Sequence, residues 1–347
     1  MKYTLKNLYR MKRRETSTKA MSDFTNNIKN LNHWNTPSPY DTDDDKFISA
    51  YVGLHSRKPD TYVHSRMFIE DMCNGLMPFT FYHGVKEKHP TLTTPISQEK
   101  EFLIANAISG KGSLADALCD FVRSTAKRLF TYGVVLYEIG YKKDKDNQIE
   151  WFGLKPIPAF RIFKLFNNYY QLILWDDAKQ LQTKVQIRKI PAQNVLRIDF
   201  PKEYGGKKGL LKLLKRTEYL YKEVIPEFLI ETSNYNIRFN QKEYYKTKFL
   251  ETMKATKRFG WDRSSISYQY TTEYYSISLF LRKKKTEAVI RNLIISKLNQ
   301  ILNKKPLNLN VRVEMKNLFT PEDVEKKQKE LESGNINFID MINSFDL

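Results

Sequence analysis

The chain has 347 residues, 41% hydrophobic and 28% charged, enough apolar content for a substantial core and too much for a disordered polyelectrolyte. Its formal charge of +19 points to a polyanionic neighbour: nucleic acid, an acidic protein surface or a membrane. Two cysteines, Cys73 and Cys119, exclude a disulfide framework, no CxxC or Cys/His cluster has zinc-ligand spacing, and the apolar runs fall short of membrane-spanning length. The chain reads as a soluble protein of a reducing compartment, without metal, cofactor or secretory signal.

Residues 1–60 read as an extended arm, basic up to Lys29 and acidic from Asp41 to Asp45, with little core of their own. "TYVHSRMFIEDMCN", residues 61–74, reads as a short helix. "SLADALCDFVRSTAKRLFTYG" predicts a longer one. Ser113 is its N-cap and Asp116 lies three residues on. Leu114, Ala117, Leu118, Phe121, Val122, Ala126 and Leu129 form one apolar face, and Gly133 supplies a left-handed stop. "VVLYEIGY" and "IEWFGLKPI" then read as strands about a polar turn, followed by "AFRIFKLF", "YYQLILWDD", "TKVQIRKI" and "NVLRIDF". The expectation is an antiparallel section behind one helix.

Gly205, Gly206 and Gly209 interrupt the chain before Leu210, where Leu210, Leu213, Leu214, Leu220, Val224 and Phe228 set a helical rhythm with a basic opposite face. Pro226 predicts a kink in it. Residues 233–282 are rich in Tyr, Phe, Lys and Arg, and "SSISYQYTTEYYSISLFL" reads as strand. "TEAVIRNLIISKLNQILN" predicts a helix with Ala288, Val289, Leu293, Ile294, Leu298, Ile301 and Leu302 inward. "LNVRVEM" reads as a strand. "TPEDVEKKQKELESG" carries a capping box of Thr320 and Asp323, Pro321 at the first helical position and Gly334 as the stop. A short amphipathic tail closes the chain.

None of these segments carries a convincing catalytic set. "GGKKG" lacks the Ser or Thr that a P-loop places after its lysine, and "SGKGSLADAL" lacks the full loop, so both read as helix-launching turns. Neither G-x-S-x-G nor H-E-x-x-H occurs. Asp41, Asp43, Asp44 and Asp45 read as a solvated run, and Glu138 as a half-exposed strand residue paired to a lysine. The chain reads as a non-enzyme.

The order of elements is more telling than any one motif. A helix ending in "FTYGVVLYEIGY", strands containing "LKPIPAFRIFKL", the turn "VLRIDFPKEYGGKKGLLKLLKRTEYLYK" and the late "VRVEMKNLFTPEDVEKKQKELESGNINFIDMINSFDL" resemble, over residues 113–346, the portal proteins of tailed bacteriophages. That resemblance implies an α+β fold with an antiparallel β-rich wing and a long-helix stem. It implies a homo-oligomeric, dodecameric ring at one capsid vertex of the virion, assembled in the host cytoplasm and not in a membrane. The ring would conduct double-stranded DNA without sequence specificity during DNA packaging and ejection. It would meet the major capsid protein, the terminase and a head–tail adaptor.

Under the resemblance the chain divides into an arm (1–60), a wing-like α+β domain (61–205), a stem-like helix (206–237), a clip-like segment (238–282) and a second stem or tunnel helix with wing- or crown-like C-terminal helices (283–347). The stem turn is Gly205, Gly206 and Gly209. The clip and partner-binding candidates are Arg238, Tyr244, Tyr245, Lys246, Lys257, Arg258 and Trp261. Arg282, Lys283, Lys284 and Lys285 precede the Thr286–Asn303 helix and are the channel-facing, DNA-binding candidates. Two other readings stay open: a nucleic-acid-processing enzyme, such as a metal-dependent nuclease or replication initiator, and another virion structural protein.

Overall fold

A computed structural model describes residues 63–77, 91–92, 96–109, 113–159, 162–177, 182–222, 250–251, 253–261, 272–316 and 318–345. The helices are α1 (Val63–Asn74), α2 (Gln98–Ile108), α3 (Leu114–Tyr132), α4 (Gly206–Lys222), α5 (Glu273–Leu302), α6 (Pro321–Glu332) and α7 (Phe338–Asn343). The strands are β1 (Thr91–Leu92), β2 (Val134–Lys143), β3 (Ile149–Ile157), β4 (Ile162–Leu165), β5 (Asn168–Asp177), β6 (Gln182–Pro191), β7 (Val195–Asp199) and β8 (Met315–Lys316). All strand pairings are antiparallel, in sheets ordered β3-β2-β7, β4-β5-β6 and β1-β8. The fold is mixed helix and small antiparallel sheets, of the α+β class.

Helix α3 forms as its sequence dictates. Ser113 Oγ accepts from the Asp116 amide at 3.1 Å, and Gly133 caps the other end at φ +69°. All seven predicted inward residues are buried. The chain turns straight from Gly133 into β2, and both faces of that strand are covered. Val135, Tyr137 and Ile139 join the helical core, while Val134 and Leu136 meet Ile157, Tyr169 and Ile190 across the second sheet. The order is therefore sheet β4-β5-β6, sheet β3-β2-β7, then helices. This double coverage explains why β2 is a continuous apolar run rather than an alternation.

Helix α5 is 30 residues long, about 45 Å at 1.5 Å per residue. Two expectations fail here. The stretch from Glu273 to Leu281 is helix, not strand: Thr272 Oγ1 caps it by accepting from the Tyr275 amide at 3.2 Å. The aromatic residues suggested a strand, but Ile277 and Leu281, four apart, pack with Val324 of α6, Met341 of α7 and Phe345 just beyond it, and this packing overrides propensity. Arg282–Lys285 consequently lie inside the helix and do not precede it. Farther along, Ile290, Ile294, Leu298 and Leu302 are fully buried, while Val289, Leu293 and Ile301 are half-buried.

The expected "LNVRVEM" strand is regular only at Met315–Lys316. Helix α2 follows Ser97 and carries Glu99 and Glu101 in its first turn, a start signal that could have revealed it. Helix α6 has the predicted capping box, and Gly334 takes φ +73° just after it. The Pro226 kink lies outside the described residues. Among the described residues no helix is long and apolar enough to cross a membrane.

Candidate functional site

The strand-to-helix junction at Pro201–Gly209 is a compact joint. Lys202–Tyr204 form a single 3₁₀ turn, after which Gly205 adopts φ +90° and Gly206 φ +59°. The Gly206 amide donates back to Pro201 O at 3.0 Å, and the Gly209 amide to Gly205 O at 3.0 Å. Two successive left-handed residues are what glycine permits at low cost. Gly209 lies within α4 with only modest crowding, a Cβ there falling 3.4 Å from Tyr204 O. The joint also receives the end of α3: the Phe200 amide donates to Gly133 O at 3.1 Å, and a Cβ on Gly133 would sit 2.8 Å from the Lys207 Cα.

Beneath the joint lies an aromatic cluster. Tyr204 stacks on Phe259 at 5.3 Å; Phe200 meets Phe130 and Phe259; Phe68 meets Phe130, Phe259 and Trp261 edge-on. Each such pair adds about 0.5–1.5 kcal/mol beyond area burial. Trp261 is thus a core residue, 2% exposed, with its indole N–H donating to Asp71 Oδ2 at 2.8 Å. The expectation of a clip contact at Trp261 is corrected: the indole is spent inside the fold. Gly260 explains why the segment fits. It takes φ +69°, and a Cβ there would strike the Leu279 carbonyl and the Lys283 amide of α5. Its neighbours in sequence gave no hint of that approach.

Lys257 and Arg258 do lie on the surface, and the Arg258 guanidinium comes within 3.8 Å of the position a Gly205 Cβ would occupy. Burial raises the pKa of the Tyr204 hydroxyl, reinforced by Glu203 and opposed by Thr286, Lys285 and Arg258. The fold therefore brings Gly205 and Arg258 together from two separated segments. Arg238, Tyr244, Tyr245 and Lys246 lie outside the described residues.

The cations of α5 differ in their engagements. Lys285 is bound to Glu325 of α6 at 2.7 Å, which raises its pKa. Lys284 lies 3.8 Å from Glu287 and over the Phe280 ring. Glu287 is 2% exposed, neither of its carboxylate oxygens has a hydrogen-bond donor, and burial outweighs Lys284, Lys283 and Arg291 to raise its pKa. Arg291, brought down to about 10 by burial, donates to Leu76 O and Phe319 O. Helix α4 keeps Leu210, Leu213 and Leu214 inside and turns Lys208, Lys212 and Lys215 to solvent.

Glu138 was expected half-exposed and paired to a lysine. It is buried and paired to Arg188 of β6, so the pair bridges the two sheets. Among the described residues no group of three or more His, Cys, Asp or Glu side chains could hold a metal ion. No protein-family profile matches the chain, and no curated protein matches it either.

Proposed function

We propose that the protein is a portal-type subunit: many copies close into a ring at a virion vertex and thread double-stranded DNA, while another protein powers the movement. The observation that carries this reading is the connected run from α3 through Gly133 into β2, back along β7, and through Gly205 and Gly206 into α4. It supports the reading because helix, antiparallel wing and stem follow one another in the order the resemblance requires. The solvent-facing Lys208, Lys212 and Lys215, together with the exposed Lys257 and Arg258, supply attraction to phosphate that needs no base readout. Arg282–Lys285 remain the channel-facing candidates, with Lys283 the first to test. Capsid protein, terminase and head–tail adaptor are the docking partners of such a ring.

The test is negative-stain imaging and native mass spectrometry of the purified full chain. A closed ring with a duplex-wide hole is expected. A single chain at high concentration, or one that cleaves DNA with Mg²⁺, overturns the proposal.

A further inference from the structure

We propose that Glu287 and Arg291 of α5 form a proton-operated latch on the C-terminal helices. With the Glu287 carboxyl neutral, Arg291 ties the start of α6 to the end of α1. An ionised Glu287 draws the guanidinium away and loosens α6 and α7. The two residues lie four apart on α5, where helical side chains are neighbours, and they are 2% and 6% exposed. A glutamate and an arginine buried so close together ordinarily pair. Here they do not. Arg291 donates to Leu76 O at 3.2 Å and to Phe319 O, and both Glu287 oxygens are left without a hydrogen-bond donor.

The carbonyls that Arg291 holds belong to different segments. Leu76 lies just past α1, and Phe319 directly precedes Thr320, the N-cap of α6. Helices α6 and α7 pack with the first third of α5 in a small core of their own, built on Ile277, Leu281, Val324, Met341 and Phe345, apart from the main helical core. The guanidinium therefore fastens the small core to the large one, with the Lys285–Glu325 pair as a surface companion. The Glu287 carboxyl lies against the same turn, since a Cβ on Gly75 would overlap it. Both side chains reach the Gly75–Leu76 turn, so the guanidinium has a short path from the carbonyls to the carboxylate.

The charged and titratable groups facing Glu287 are Lys283, Lys284 and Arg291 of α5 and the Cys73 thiol of α1. Lys284 Nζ lies 3.8 Å from Oε2, too far for a hydrogen bond, and over the Phe280 ring. The thiol, which burial pushes up to about 12, stays neutral and offers no countercharge. Burial outweighs the three cations and raises the Glu287 pKa, which favours the neutral carboxyl of the latched state. A buried carboxylate is costly without a donor, and Arg291 is the donor one turn away. Deprotonation trades two carbonyl contacts for one charge-assisted pair, and the tie to α6 opens. The latch holds below the folded pKa of Glu287 and releases above it. This inference stands independently of the ring reading.

Hydrogen–deuterium exchange of the full chain, corrected for intrinsic exchange chemistry, tests the latch between about pH 5 and pH 8. Amides of α6 and α7 are expected to lose about tenfold or more of their protection as pH rises, the effect of one lost charge-assisted hydrogen bond, while α3 amides keep theirs. Glu287→Gln, which cannot ionise, should hold α6 and α7 protected throughout. Arg291→Met should leave them poorly protected at both ends of the range, because nothing then spans Leu76 O and Phe319 O. If wild-type protection of α6 and α7 does not change with pH, or changes only in step with α3, the latch is overturned, even where both variants fail to fold. An unchanged pH response in Glu287→Gln assigns the switch to another group and overturns it as well.

Discussion

Asn299 holds Val313 with both ends of one side-chain amide. Its Nδ2 donates to Val313 O and its Oδ1 accepts from Val313 N, each at 2.7 Å. One turn later Asn303 does the same for Val311, at 2.8 and 2.9 Å. Two helical side chains thus stand in for a neighbouring strand and satisfy the backbone groups of Val311 and Val313. Asn299→Asp keeps the acceptor but sets a carboxylate against a carbonyl. A loss of about 2–4 kcal/mol is expected, as for one or two unsatisfied part-buried groups, read as a lower denaturant midpoint at unchanged slope. A midpoint within error of wild type would remove the clamp from the account.

Gly206 tests the joint between β7 and α4. A Cβ there meets nothing closer than 3.9 Å, so the constraint is its φ of +59° and not space. Gly206→Val should cost about 1–3 kcal/mol and reduce ring yield, whereas Gly206→Asn should cost less, because Asn tolerates the left-handed region. Gly133→Ala should be worse than Gly206→Ala, since it adds a clash with the Lys207 backbone to a similar φ. Thermal denaturation of these variants orders them.

Glu138 and Arg188 make a coupled pair between sheets, with side chains 11% and 26% exposed. Arg188→Met strands a buried carboxylate and should cost about 2–4 kcal/mol. Adding Glu138→Gln should recover most of the loss. A double-mutant cycle with additive penalties would show that the pair is not coupled.

Glu287 predicts a pH dependence. Its carboxyl pKa is raised on folding, so the folded state holds a proton that the unfolded chain releases near 4.5. Its contribution is fully present below that value and declines as pH rises toward the folded pKa. Glu287→Gln should remove this decline and make the protein more stable than wild type near neutral pH. Parallel stability curves for the two proteins would contradict the assignment. Asp323 gives the opposite sign: the Thr320 amide and hydroxyl depress its carboxyl, so Asp323→Asn should erase stability present above the unfolded carboxylate range and lost at lower pH.

The cations of α5 call for single substitutions. Lys285→Ala breaks a surface pair worth at most about 1 kcal/mol, so any larger effect on DNA retention reflects contact with DNA and not folding. Lys283→Ala should alter retention and its salt dependence with an unchanged melting temperature. Unchanged packaging and ejection would take Lys283 out of the channel.

Much of the local physics was readable from the residues. The caps at Ser113, Thr320 and Gly133, the apolar face of α3 and the antiparallel strands from Val134 to Asp199 depend on neighbours three or four places away in sequence, or on the β-branched and aromatic make-up of one strand. The tertiary structure decided what depends on distant partners. It made Glu273–Leu281 helical by packing Ile277 and Leu281 on the C-terminal helices, sank Trp261 onto Asp71, and gave Glu138 an arginine fifty residues away. The same holds for the joint itself: Gly205 and Arg258 share no local pattern. Only the stacking of Tyr204 on Phe259, with Gly260 pressed against α5, brings the Arg258 guanidinium beside Gly205.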